Sequence, residues 1–267
     1  MKTITSVAIA ALMLGLAACG QNGSGATETD GSAAVATTTT EAVAFLAQPA
    51  LAEGVEALPR LVGDSPAIKA INADLERRDV AARAEGCDGG GGFERGVMQP
   101  MTGPGYVTFW IAEGYYCEGS AHPSFDQTAI TYDLATGQPV DWVAAASGLQ
   151  LTRGETTDMP ATYVPPVSST VLTSWYSRKM LASTDTERLG DCGDVWTVES
   201  MADSSFKIWL NAQDGGLSVG PEFAHVIQAC ADSVTLTPTE MREFGVSQAM
   251  IDAVTAAHAA GNWAPKE

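Results

Sequence analysis

The chain has 267 residues, 45% of them apolar, and 14 Lys and Arg against 32 Asp and Glu give a formal net charge of −18. That acidic excess argues against nucleic acid and against adsorption to an anionic membrane surface, while the apolar content is ample for a sizeable core. It suits a basic partner or plain solubility.

The first segment reads as a secretory signal. Met1-Lys2 gives a positive start, Val7–Leu16 is an apolar run too short to span a bilayer as a permanent helix, and Leu16-Ala17-Ala18-Cys19 is a small-residue cleavage site ending in cysteine. That ending resembles the bacterial lipobox, which implies cleavage before Cys19 and a lipid anchor on it. Gly20, where an aspartate would signal retention, favours the outer membrane facing the periplasm by resemblance to sorting rules. Gln21–Glu41 is mostly Gly, Ser, Ala and Thr, with Thr37–Thr40 unbroken. Such a segment buries too little surface to offset its ordering entropy. The expected organisation is a signal peptide over 1–18, a lipidated cysteine and flexible tether over 19–42, and one folded domain over 43–267.

Four further cysteines follow, Cys87, Cys117, Cys192 and Cys230. In an exported chain an even number favours disulfides, with three possible pairings. Order along the chain suggests Cys87–Cys117 and Cys192–Cys230. A Cys₄ metal site would want closely spaced pairs such as C-x-x-C, and the sequence has none. No metal or other cofactor is expected.

Ser65-Pro66 opens the first helix, serine as N-cap and proline at the first helical position, with Ile68, Ile71 and Leu75 on one face and an end near Gly86. Gly89–Gly92 reads as a mobile loop, since no Lys-Ser/Thr follows to make a phosphate cradle. Tyr106–Tyr116 alternates Tyr106, Thr108, Trp110 and Ala112 against Val107, Phe109, Ile111 and Glu113, the pattern of a central strand. It delivers Cys117 and a polar loop, Glu118–Asp126, to one end of a sheet. In Gln127–Leu134 the larger groups Ile130, Tyr132 and Leu134 share one face, leaving the Ala129, Thr131 and Asp133 face free to be wet. Ala135-Thr136-Gly137-Gln138 is a turn, and Pro139 starts a return strand.

Gly119-Ser120-Ala121-His122, followed by Tyr132-Asp133-Leu134-Ala135-Thr136-Gly137-Gln138, resembles the "Gly-Gly-Ala-His … Asp-Leu-x-Thr-Gly-Lys" signature of the RsiV-like extracytoplasmic domain. Ile71-Asn72 upstream and Gly216-Leu217 running to Thr237-Pro238-Thr239-Glu240 downstream agree in order and spacing, so the resemblance spans Leu58 to Gly245. That family, largely of unknown function, includes the ectodomain of a lysozyme-sensing anti-sigma factor and a domain fused to some peptidoglycan deacetylases. The resemblance implies a cell-envelope binding role. Ser120 departs from the usual second glycine, and Phe223 and His225 stand where tyrosines are expected after Gly220.

Asp141–Pro166 is irregular, and a helix fits Ser168–Leu181 with Val171, Leu172, Trp175, Tyr176 and Met180 inward. Trp196–Val198, Phe206–Leu210 and Val226–Leu236 read as strands, with Asp214-Gly215-Gly216 turning into Leu217–Val219. Thr237-Pro238-Thr239-Glu240 fits a capping box, and Ser247 caps a last helix whose Met250, Ile251, Val254 and His258 share a face, His258 half-buried. The fold class is α+β: a mainly antiparallel sheet with helices packed on it, and a C-terminal helical extension.

No catalytic motif is complete. Ser120 and His122 are two apart in a loop and poorly placed for a triad, no G-x-S-x-G elbow exists, and Ser204-Ser205-Phe206-Lys207 leads into a strand where penicillin-binding enzymes need a helix. His122 is expected to fix its loop by hydrogen bonding; His225 reads as a strand-end residue that can approach it across the sheet. The reading is a non-enzymatic, lipid-anchored envelope module with Glu118, Ser120, His122 and Asp126 as ligand-binding residues. Its partner would be a basic protein such as lysozyme, or a peptidoglycan component. The alternative is a cell-envelope hydrolase or an accessory subunit of a peptidoglycan-modifying enzyme.

Overall fold

The computed structural model describes residues 42–87 and 90–264. The expected signal peptide, Cys19, nearly all of the tether and one residue of the glycine run, Gly89, lie outside them. The fold is α+β with antiparallel sheets. No helix among the described residues is long and apolar enough to cross a membrane.

A short pair, β1 (Phe45–Leu46) and β2 (Arg60–Leu61), leads into α1 (Pro66–Ala84). The Ser65 hydroxyl accepts the Ile68 N–H and Pro66 opens the first turn, as the sequence indicates. Helix α1 lies on a three-stranded sheet of β3 (Gly91–Thr102), β4 (Tyr106–Cys117) and β5 (Ser124–Asp133), in that order. Ile71 and Leu75 meet Val107, Phe109, Ile111, Ile130 and Tyr132 there, all at most 3% exposed. Buried charges cross this small core in pairs. Asp74 accepts from Arg78 Nε at 2.9 Å and from the Tyr132 hydroxyl at 2.5 Å. Asp79 accepts from Leu58 N at 3.1 Å, Arg60 at 2.8 Å and Arg95 at 2.9 Å.

Strand β3 carries no strand pattern in the sequence. Its apolar residues are interrupted by Gly96 and Pro100, and a register shift between Met98 and Met101 breaks the alternation that marks a strand. Its outer side near Thr102 is occupied by the chain's two flanks: Val43 N–H donates to Thr102 O, Thr102 N–H to Asn262 O, and Ala264 N–H to Gln99 O.

After β5 the Ala135–Gln138 turn forms, Gly137 at φ +73° with Ala67 so close that a side chain would not fit. The return strand expected at Pro139 is a single bridge to Tyr132, because Asp141 then caps α2 (Trp142–Ala145). A five-stranded antiparallel sheet follows, in the order β10 (Val234–Leu236), β9 (Gly216–Glu222), β8 (Ser205–Asn211), β7 (Val167–Ser168) and β6 (Thr152–Arg153). Helix α3 (Thr170–Leu181), the short α4 (Thr186–Cys192), α5 (Pro238–Glu243) and α6 (Gln248–Ala260) accompany it, and a second, larger core forms around Leu172, Tyr176, Trp196, Phe206, Leu217 and Val254. This sheet covers the β5 face expected to be wet. Ala129 and Thr131 are 6% and 2% exposed, the Thr131 hydroxyl accepts Leu210 N–H at 3.2 Å, and Trp110 packs on Trp209.

Three further expectations are corrected. Trp196–Val198 is a series of turns, since the buried Trp196 ring donates Nε1–H to Cys230 O. Only Val234–Leu236 of 226–236 is strand; His225–Cys230 is a 3₁₀ turn that leaves Val226 89% exposed. His258 is exposed beside Trp263, its Nδ1 hydrogen-bonded to Ala212 O at 2.8 Å. Disulfides join Cys87 to Cys117 and Cys192 to Cys230, the pairing that chain order suggests. They belong to an oxidising, extracytoplasmic setting.

The Thr237–Glu240 capping box is present. Burial works to raise the Glu240 pKa, but hydrogen bonds from Lys179, Thr237 and Trp175 outweigh it and hold the carboxyl at about 2. A depressed carboxylate contributes stability that is complete above its ordinary value of 4.5 and is lost as pH falls towards 2. Glu240→Gln is therefore expected to cost about 1–3 kcal/mol at pH 7. Urea melts between pH 2 and 7 should show the wild-type advantage shrinking below pH 4.5.

Candidate functional site

The β4–β5 turn, Glu118–Pro123, closes one end of the three-stranded sheet. Gly91, at φ +121°, is required there: a Cβ would lie 2.4 Å from Tyr116 O. The glycine run is thus not simply a loop. Gly91 and Gly92 begin β3, Gly90 O accepts Glu118 N–H at 3.0 Å, and Cys87–Cys117 fastens the same corner.

Of the expected ligand-binding residues, Glu118, Ser120 and His122 are exposed on this turn and Asp126 is exposed on β5. Among the described residues no hydrogen bond joins Ser120, His122 and Asp126. Asp126 accepts the N–H of its neighbour Gln127 at 2.8 Å, so a triad is not assembled. His122 does not bond backbone as expected; its ring stacks on His225 with centroids 5.9 Å apart. His225, from its 3₁₀ turn, is hydrogen-bonded through Nε2 to Pro123 O at 3.0 Å. The turn is clamped by one histidine and faced by the other.

Behind the tip, register builds a row the sequence did not reveal. Arg95, Glu113 and Asp126 are directly opposed on β3, β4 and β5, so their side chains share the face that carries α1. The Arg95 side chain is 1% exposed, and its Nε faces Glu113 Oε1 at 3.5 Å without a hydrogen-bond partner. Burial, with Asp126 and Glu85 nearby, raises the Glu113 pKa against the opposing pull of Arg95. Tyr115 and Tyr163 are pushed up too, first by burial and then by the carboxylates Glu113 and Glu85 for the one, Glu222 and Asp126 for the other. One signal for this row was legible: Glu113 continues the apolar series Val107, Phe109, Ile111, where a charge is out of place.

Two clefts flank the tip of β5. A groove of about 850 Å³ runs over the opposite sheet face, floored by Gly96, Ala112 and Gly114 and walled by Tyr116, Phe125 and the His225–Ala231 segment. Its aromatic pair is edge-to-face, and Phe125 is 59% exposed. A second cleft, about 530 Å³, lies along the β5 edge between Glu85, Glu113 and Tyr115 on one side and Tyr163, Lys207 and Glu222 on the other. Lys207 is paired with Glu222 at 2.8 Å. The cleft is net acidic. No group of three or more His, Cys, Asp or Glu among the described residues is placed to hold a metal.

No family model, curated protein or solved structure matches the chain.

Proposed function

We propose that this protein is a lipid-anchored, non-enzymatic module of the bacterial cell envelope that binds a basic protein of the lysozyme type through the β4–β5 end of its three-stranded sheet. The observation that carries the reading is the braced tip: Glu118 and His122 project from a turn fixed by a disulfide and by His225, next to a cleft with four carboxylates and one already paired lysine. A shaped, pre-ordered loop gives specificity, while the surrounding charge speeds encounter. Exposed charge alone would give only weak contact, screened over about 8–10 Å at physiological salt.

Titration of lysozyme into the full chain, held in detergent, is expected to show saturable binding that persists at physiological salt and weakens about tenfold on His122→Ala. Binding that vanishes at that salt, or that ignores the substitution, would reduce the acidic surface to a solubility device.

The anchor is tested separately. A clickable fatty acid fed to expressing cells is expected to label the protein, with the label lost on Cys19→Ala. An unlabelled, freely released wild type would remove the lipid from this reading.

A further inference from the structure

The edge of β5 near its tip is open. Thr131 O accepts Val140 N–H, and Asp133 N–H donates to Gln138 O, so the odd-numbered residues of β5 turn their backbone groups away from β4. Farther up, the same parity points the groups of Phe125 and Gln127 into the second cleft. Among the described residues no backbone group pairs with them there. The Gln127 N–H is instead covered by the Asp126 carboxylate, an acidic guard of the kind that keeps an exposed edge from pairing indiscriminately.

We infer that this edge is a strand-addition site for an extended basic segment of a partner protein, placing a Lys or Arg side chain over Asp126 and Glu113 and apolar side chains beside Phe125 and Phe223. Three observations converge on that occupant. Backbone donors and acceptors point into a cleft of about 530 Å³ that Phe125, Gln127 and Ala129 line. Alternate side chains of an added strand fall on opposite faces, and here the faces differ in chemistry. On the α1 side stand Glu85, Glu113 and Asp126; on the other stand Phe125 and Phe223 with Gly114. The required pattern is therefore apolar–cation–apolar. The buried guanidinium of Arg95, already committed to Asp79, leaves Glu113 and Asp126 incompletely balanced, which is why a second cation is favoured. This inference rests on the basic-partner reading above and adds the surface and the mode.

The probe is a capped seven-residue peptide, Gly-Thr-Leu-Arg-Leu-Thr-Gly, against its permutation Gly-Leu-Leu-Arg-Thr-Thr-Gly, titrated into the full chain. The first should bind at least ~10-fold tighter, and Glu113→Gln should weaken it by ~5–10-fold. Gln127→Pro removes the outward N–H with its bond to Asp126 and puts a ring on the free edge; it should abolish binding while leaving the β4–β5 ladder, which uses the even-numbered residues of β5, in place. N-methylation of the peptide tests the same point without altering the protein. Methyl groups at the leucines or at the arginine, in one register only, should eliminate binding, because only alternate amides face β5. Equal binding of the permuted peptide, or indifference to both methylation registers, overturns the inference. If lysozyme binds in a His122-dependent way and neither peptide does, strand addition is wrong and the basic-partner reading stands; if nothing binds, both fall.

Discussion

Asp79→Ala is expected to lower the unfolding free energy by about 3–5 kcal/mol. Asp79 is 1% exposed and receives the Leu58 N–H together with Arg60 and Arg95. Removing its carboxylate leaves the Arg95 guanidinium, itself 1% exposed, with Glu113 at 3.5 Å as its one remaining ion-pair partner and Glu56 O as a distant acceptor. The cost arises from the uncompensated charge more than from the pair's own attraction, and that distinction can be measured. Replacing both members of the Asp79–Arg95 pair, Asp79→Leu with Arg95→Met, should recover part of the loss: the stranded guanidinium is gone, while the Leu58 N–H loses its acceptor and Glu113 its cation. Urea unfolding of the three proteins decides it. An Asp79→Ala variant within 1 kcal/mol of wild type would show that water reaches these groups and that the network is not what holds α1 to the sheet.

The second large effect lies in the other core. Cys192→Ser with Cys230→Ser opens a loop of 38 residues in sequence separation, and the chain-entropy model gives about 4 kcal/mol for it. The bond also sets the position of Trp196, which is fully buried and hydrogen-bonded to Cys230 O. The double variant should therefore shift the urea midpoint down and move the tryptophan emission towards the red in native buffer. A changed midpoint with unchanged emission would mean that the bond acts on the unfolded chain alone.

Much of the helical framework was legible because its signals are local. Ser65-Pro66, Thr237 with Glu240, and Ser247 cap where their spacing says, since a cap needs only residues three or four apart. Strand β4 and its Val107, Phe109, Ile111 face were legible for the same reason. Strand β3 was not: Gly91, Gly96 and Pro100 read as punctuation, and it is a strand because β4 offers it a partner. Likewise Trp196–Val198 and Val226–Ala231 have strand-like composition, but the Cys192–Cys230 bond and the Trp196 indole hold them in turns. The site divides along the same line. Glu118, Ser120 and His122 could be placed on an exposed turn from Cys117 and Pro123 alone. The Arg95, Glu113 and Asp126 row needs the register of three strands, which no window of sequence contains.

Val43 is fixed to Thr102 at one end of the three-stranded sheet, and the Glu118–Pro123 turn closes the other. Strand β4 separates them by 12 residues, about 40 Å of extended chain. A pull between Val43 and the turn runs along the strand axes, while the bonds of both ladders lie across them. The load passes from Thr102 through residues 103–105 into β4, whose covalent backbone runs the whole way to the turn, so the ladders carry little of it. Tension between those two points enters at the hydrogen bond from Val43 N–H to Thr102 O and is carried from there by the backbone of β4.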